Sequence, residues 1–146
     1  LPVINTLNNL VNSGDKVTSI KAVLSGSLNF IFNNFNDAIS FHDVVKQAQA
    51  EGYTEPDPRI DLSGVDVARK ILILLRESGL QMDIEDIENN MFLPQASMDA
   101  ESVDAFYETL KTHNNHFNHL LAEATAKDCK LKYVAEFNNG SAKCAA

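Results

Sequence analysis

One short stretch of this sequence concentrates side chains that can perform acid–base chemistry or hold a charged ligand. Glu55 and Asp61 lie in and just after a loop that two prolines stiffen, since proline lacks an amide donor and restricts the residue before it. Asp66 and Lys70 follow four residues apart on a predicted helix, a spacing that projects both side chains from one face. Such a group could bind a zwitterion or move a proton, and Asp66 and Lys70 could equally form a surface ion pair worth about 0.3–0.5 kcal/mol. Spacing alone leaves these alternatives open.

The composition excludes several classes of function. Twelve basic and 20 acidic residues give a net charge of −8, which argues against nucleic acid and anionic membranes as partners. No apolar run approaches the roughly 20 residues that span a bilayer. The two cysteines, Cys129 and Cys144, form no CxxC pattern and are expected to be ordinary thiols in a reducing cytoplasm. The chain starts at Leu1 without a methionine or a signal peptide, so we expect a piece of a longer protein.

The elements before the loop are predicted from apolar periodicity. Apolar residues at helical spacing predict a first helix from Asn5 to Asn12, and alternation predicts a strand from Thr18 to Leu24. After a Ser-Gly-Ser turn, an amphipathic helix is predicted from Leu28 to Ile39. Ser40 is then expected to cap a helix that ends near Gly52.

After the loop, Asp61 is expected to cap a helix that runs to Ser78. Its predicted buried stripe consists of Leu62, Val65, Ala68, Leu72 and Leu75. A short strand is predicted at 91–93, and a helix from 103 to 126 with a break at 113–115.

The chain ends in a predicted β-hairpin. Its alternating segments 130–137 and 141–145 flank Asn138-Asn139-Gly140, and Asn-Gly is a strong hairpin signal. The predicted class is therefore α+β, with a small mixed or antiparallel sheet covered by helices. The edges of such a sheet need a covering domain or a second copy of the chain.

Three segments together resemble a known family. The run from Gly52 to Lys70, GYTEPDPRIDLSGVDVARK, is similar to the signature of homoserine dehydrogenases. Leu1–Ile4 and Ser25–Ile31 resemble two further family segments, although Phe30 stands where the family often has tyrosine. The ending Lys132-Tyr133-Val134 resembles the bifunctional aspartokinase–homoserine dehydrogenase type. The resemblance is close over residues 1 to about 80 and looser afterwards.

The resemblance implies a reaction and a set of site residues. The reaction is the reversible NAD(P)H-dependent reduction of L-aspartate 4-semialdehyde to L-homoserine, in threonine and methionine biosynthesis. Lys70 matches the family's proton donor, and Glu55 and Asp66 match carboxylates that hold the substrate's ammonium and hydroxyl groups. The remaining matches are Asp61, Gly26, Ser27 and Tyr53 at the substrate, Gly52 near the cofactor, and the Leu1 carbonyl as one ligand of a sodium ion.

The resemblance also implies what surrounds this chain. Residues 1–146 would form the catalytic, substrate-binding and dimerisation domain of a homodimer, incomplete at both ends. A Rossmann domain binding most of the NAD(P) would lie upstream, since no GxGxxG motif occurs here. Alone, the chain is expected to be inactive. Two alternatives remain: a module that only binds an amino acid, and a dimerisation domain whose acidic helix face is merely surface.

Overall fold

A four-stranded mixed sheet packed against helices forms the framework of the fold. The structure is a computed structural model and describes residues 2–146. The order along the chain is α1 Val3–Asn12, β1 Ser19–Ala22, α2 Gly26–Asn34, α3 Phe41–Ala50, α4 Arg59–Leu62, α5 Val65–Glu77, β2 Ile87–Asn89, α6 Gln95–Met98, α7 Val103–Thr112, α8 Asn114–Ala126, β3 Val134–Asn138 and β4 Ser141–Ala145. This arrangement confirms the α+β class. Among the described residues, no helix combines the length and apolar character that crossing a membrane requires.

The sheet has the strand order β1-β3-β4-β2. β3 and β4 form the predicted hairpin, in which Asn139 and Gly140 adopt φ values of 50° and 83°, as the turns that suit the twist of a hairpin require. β1 pairs antiparallel with β3, whereas β2 pairs parallel with β4. The strand predicted at 91–93 is wrong, because the paired segment is β2 at 87–89, and Phe92 and Leu93 are buried in the core without joining the sheet.

An aromatic cluster fills the space where α2, α3 and α8 meet. Phe41 on α3 stacks on Phe117 of α8 with ring centroids 4.1 Å apart. Phe35 and Phe92 meet the Phe41 ring edge-on, an arrangement that aromatic quadrupoles favour. The cluster fixes α2, which follows the β1–α2 junction, and α3, which precedes the proline-rich loop.

The helix predicted to start at Asp61 is interrupted. Gly64 adopts φ +73° and separates the short α4 from α5, so Asp61 lies inside α4 and its prediction as a helix cap is wrong. The new start shifts the buried face of α5. Val65 is 39% exposed, contrary to the predicted stripe, and Val67 and Ile71 join Ala68, Leu72 and Leu75 in the core.

The other helix boundaries follow local signals. Ser40 caps α3 through a hydrogen bond from the Asp43 amide, as predicted. The helix predicted from Leu28 to Ile39 starts earlier, at Gly26, and ends at Asn34, so its predicted extension to Ile39 is wrong. The predicted break near 113–115 is confirmed, since α7 ends at Thr112 and α8 starts at Asn114.

Candidate active site

The Lys70 ammonium lies where α5 meets the end of the first strand. Its Nζ donates to the Leu24 carbonyl oxygen at 3.1 Å, directly before the turn into α2. Nζ also lies 2.7 Å from Asp66 Oδ2, one helical turn back. An ordinary i,i+4 ion pair on a helix surface has no reason to reach a backbone carbonyl 46 residues away. The second contact therefore fixes the ammonium at the β1–α2 junction while leaving about half of the side chain exposed.

The N-terminus of α2 starts beside that ammonium. Ser25 caps the helix, its Oγ accepting a hydrogen bond from the Leu28 amide at 3.2 Å. Gly26 and Ser27 occupy the first turn, where backbone amides lack an acceptor within the helix. Gly26 is exposed, and a Cβ built on it would meet no atom within 4 Å. Open space therefore lies next to amides that can bind a carboxylate.

Asp61 connects α2 to the proline-rich loop. Its Oδ1 accepts from Ser27 Oγ at 2.8 Å, and its Oδ2 accepts from the Glu55 amide at 2.9 Å. Both carboxylate oxygens are thus bound by the chain itself. Sequence reasoning selected Asp61 as a site residue, and the structure places it between two other candidates, Ser27 and Glu55.

The loop that carries Glu55 is held at its far end by an ion pair. Arg59 Nη2 lies 2.6 Å from Asp57 Oδ2, and Arg59 Nε donates to Asp57 Oδ1 at 2.9 Å. These hydrogen bonds hold the pKa of Asp57 below its usual value. The Glu55 side chain is exposed, so its carboxylate can meet a ligand from solvent.

Tyr53 and Gly52 form the start of the same loop. The Tyr53 ring stacks on Phe30 of α2, with centroids 4.1 Å apart and planes 17° apart. Phe30 therefore supports this loop although it lacks a hydroxyl. Gly52 has φ +79°, is exposed, and would have no atom within 4 Å of a Cβ built on it, so a cofactor can approach its backbone closely.

An apolar cleft of about 250 Å³ opens beside Lys70. Its walls consist of Val3, Ile4, Leu24, Ile73 and Leu74, with Lys70 as the charged member. Val3 and Ile73 are 45% and 48% exposed. A lysine at the mouth of an incompletely covered apolar surface fits a site that another part of the protein closes.

Direct contacts join five of the predicted site residues in two separate sets. Lys70 and Asp66 meet at the β1–α2 junction, and Asp61 joins Ser27 to the backbone of Glu55. Leu1, the predicted sodium ligand, lies outside the described residues.

Sequence reasoning missed two kinds of contact. The Leu24 carbonyl that holds Lys70 has no residue-type signal, because any residue offers a carbonyl. Gln49 contacts the loop and Tyr107 contacts Gln49, but 58 residues separate Gln49 from Tyr107 and no periodicity joins them.

Nearly the whole chain matches a known protein family. The sequence profile described as homoserine dehydrogenase matches residues 2–145. A bifunctional aspartokinase/homoserine dehydrogenase of Haemophilus influenzae is 42% identical over 143 residues, covering 98% of this chain and 18% of that protein.

Two solved structures share the fold. A Candida auris protein of unknown function superposes with a TM-score of 0.91 at 35% identity, over 99% of this chain and 42% of that one. A homoserine dehydrogenase of Thiobacillus denitrificans superposes with a TM-score of 0.70 at 20% identity, over 99% of this chain and 30% of that one. The chain spans only 15 to 18% of the length of the first curated relatives it matches.

Proposed function

This chain belongs to the homoserine dehydrogenase family, a family of oxidoreductases in amino-acid biosynthesis, and from that premise we propose its specific role. It is the substrate-binding and catalytic part of an enzyme that interconverts L-aspartate 4-semialdehyde and L-homoserine with NAD(P), in threonine and methionine biosynthesis. The observation that carries the proposal is the Lys70 ammonium, held by the Leu24 carbonyl beside the N-terminus of α2.

Lys70 is the proton donor of the reduction. When bound, the nicotinamide supplies or accepts the hydride at the substrate's C4. As the aldehyde carbon gains a hydride, its oxygen becomes an alkoxide, which needs a proton or a cation nearby. The Lys70 Nζ gives that proton in the reduction and takes it back in the oxidation. Asp66, 2.7 Å away, orients the ammonium and accepts a hydrogen bond from the substrate.

The amino-acid end of the substrate binds between α2 and the proline-rich loop. The first-turn amides of Gly26 and Ser27 bind its carboxylate, and the Glu55 carboxylate binds its ammonium group. Asp61 contributes by tying Ser27 to the Glu55 backbone, so it fixes the distance between the two halves of this pocket. Tyr53 lines the pocket from the loop, supported by Phe30.

The cofactor and a second domain complete the site. The backbone at Gly52, open on its exposed side, is the point at which this chain contacts the nicotinamide cofactor. We propose that most cofactor contacts come from a Rossmann domain elsewhere in a longer polypeptide, which also covers the apolar cleft beside Lys70. The short span of the chain relative to its relatives supports this division. A sodium ion bound in part by the Leu1 carbonyl belongs to the same proposal.

The assembly we propose is a homodimer in the cytoplasm. The two edges of the sheet, β1 and β2, each pair with one neighbour only in the described chain, and unpaired edges favour association with a second copy.

The proposal is tested with the full-length protein, meaning the polypeptide that contains these 146 residues and the proposed nucleotide-binding domain. Oxidation of L-homoserine is followed by absorbance of the reduced nicotinamide, with NAD and NADP in parallel and L-threonine as a control substrate. We expect turnover of homoserine with at least one cofactor and little turnover of threonine. A full-length protein that reduces neither cofactor with homoserine contradicts the proposal.

A further inference from the structure

The loop that carries Glu55 is held on a second side by two residues outside the candidate site. Gln49 on α3 donates from Nε2 to the Pro56 carbonyl oxygen at 2.7 Å. Tyr107 on α7 donates from its hydroxyl to Gln49 Oε1 at 2.7 Å. The two bonds form a relay from α7 through α3 to the peptide bond between Pro56 and Asp57, one residue after Glu55.

The relay has a single consistent direction. Tyr107 is 7% exposed, and burial, with the charge of Asp57 adding to it, raises the pKa of its hydroxyl to about 12. At neutral pH the phenol therefore keeps its proton and donates a hydrogen bond to Oε1 of Gln49. Because the Pro56 carbonyl can only accept, it faces the side-chain NH₂ of Gln49, which leaves Oε1 as the acceptor for the Tyr107 hydroxyl.

Packing around Tyr107 keeps the start of the relay in place. The His42 ring meets the Tyr107 ring at 78° with centroids 5.5 Å apart, and Lys46 Nζ lies 5.9 Å from the Tyr107 centroid. Tyr107 is thus oriented independently of its hydroxyl bond, and removing that hydroxyl leaves the ring where it is.

We propose that Gln49 and Tyr107 are positioning residues that set where Glu55 stands and thereby how tightly the enzyme binds the ammonium group of its amino-acid substrate. This inference rests on the proposed function, because it gives Glu55 the role described above. Asp57–Arg59 and Asp61 hold the loop at other points, so losing the relay shifts the peptide at Pro56 without unfolding the loop. The expected defect is in substrate binding, with the proton transfer at Lys70 unaffected.

The test compares four variants of the full-length protein with a matched control. Gln49→Met removes both bonds, and Gln49→Glu keeps the acceptor for Tyr107 but loses the donor to Pro56. Tyr107→Phe removes only the bond from Tyr107 to Gln49. The fourth variant combines Gln49→Met with Tyr107→Phe. The control is Gln47→Met, which removes an exposed bond from the same helix to Glu51. One lost hydrogen bond corresponds to about a three- to tenfold rise in the homoserine KM.

The relay predicts a specific pattern of kinetic constants. Gln49→Met and Gln49→Glu raise the homoserine KM by that factor, with kcat and the cofactor KM unchanged. Tyr107→Phe has a smaller effect, the double variant is no worse than Gln49→Met, and Gln47→Met matches the wild type. A wild-type homoserine KM in Gln49→Met, or multiplied effects in the double variant, overturns the inference.

Hydrogen exchange separates this inference from the proposed function. In the full-length protein, the amides of residues 53, 54, 55 and 57 are expected to exchange faster in Gln49→Met than in the wild type or in Gln47→Met, while α5 exchanges unchanged. If the wild type does not oxidise homoserine, the proposed function fails, and the exchange result alone decides whether the relay holds the loop. Unchanged exchange at these amides overturns the relay even where the enzyme is active.

Discussion

Replacing Gly64 with alanine should destabilise the chain far more than a change of one methyl group suggests. Gly64 adopts φ +73°, and a Cβ placed there would lie 2.1 Å from the Tyr133 hydroxyl oxygen and 2.6 Å from its Cζ. Tyr133 is 1% exposed and donates to Asn89, whose Nδ2 in turn donates to the Ser63 carbonyl at 2.9 Å. The ring therefore has no room to retreat without breaking bonds that hold the start of α5.

The expected magnitude combines two effects. A non-glycine residue in the left-handed region costs about 1–2 kcal/mol, and an overpacked buried contact costs about a further 1–3 kcal/mol. We expect Gly64→Ala to lower the free energy of unfolding by about 2–5 kcal/mol in urea titrations of the 146-residue chain. Gly14→Ala is the matched control, because Gly14 has φ +90° with no atom within 4 Å of the added Cβ; it should lose only about 1–2 kcal/mol.

The same substitution in a chain without the Tyr133 ring isolates the contribution of that ring. In a Tyr133→Leu chain, Gly64→Ala should cost only the backbone part, close to the cost of Gly14→Ala. Equal losses for Gly64→Ala and Gly14→Ala in the native background would refute the close approach of Tyr133. Such a result would also remove the reason for α5 to start where it does, and with it the placement of Asp66 and Lys70.

Three further predictions concern other parts of the chain. Burial raises the pKa of Cys144 from 9.0 to about 11, and burial with the Asp57 charge raises that of Tyr107 from 10.0 to about 12. The unfolded chain therefore loses these protons first, so urea titrations should show nearly constant stability between about pH 7 and 9 and a decline between about pH 9 and 12. At pH 8, iodoacetamide should modify exposed Cys129 in the native chain but Cys144 only after unfolding, as mass spectrometry can show; rapid native labelling of both would contradict the burial of Cys144. In the full-length protein, Glu55→Gln should raise the homoserine KM by about tenfold or more while kcat changes little; an unchanged KM would remove Glu55 from the substrate site.

The sequence predicted the elements whose signals are local. The hairpin at Asn139-Gly140, the Ser40 cap and the break before α8 all follow from short patterns, and the structure confirms them. The proline-rich motif likewise identified the segment that holds most of the candidate site.

The errors share a physical cause. Gly64 could end one helix or cap the next, and the space that a side chain would need there is occupied by Tyr133, which lies 69 residues along the chain. Asp61 carries the residue type of a helix cap, but contacts to Ser27 and the Glu55 amide use both of its oxygens. β2 is three residues long and exists because β4 pairs with it. In each case a distant partner decides between conformations that the local sequence allows equally.

The role of Lys70 as proton donor is tested by the kcat for homoserine oxidation in full-length Lys70→Met. Methionine keeps an unbranched apolar stem beside Leu24 and Ile73 but removes the ammonium. Any fall in kcat therefore reports the missing proton-transfer group. The control is Lys111→Met, which breaks an exposed ion pair with Glu108 on α7. We expect kcat to fall by a factor of about 10²–10⁴ in Lys70→Met, with the cofactor KM unchanged and Lys111→Met like the wild type. A kcat for Lys70→Met within about twofold of the wild type would contradict the role of Lys70.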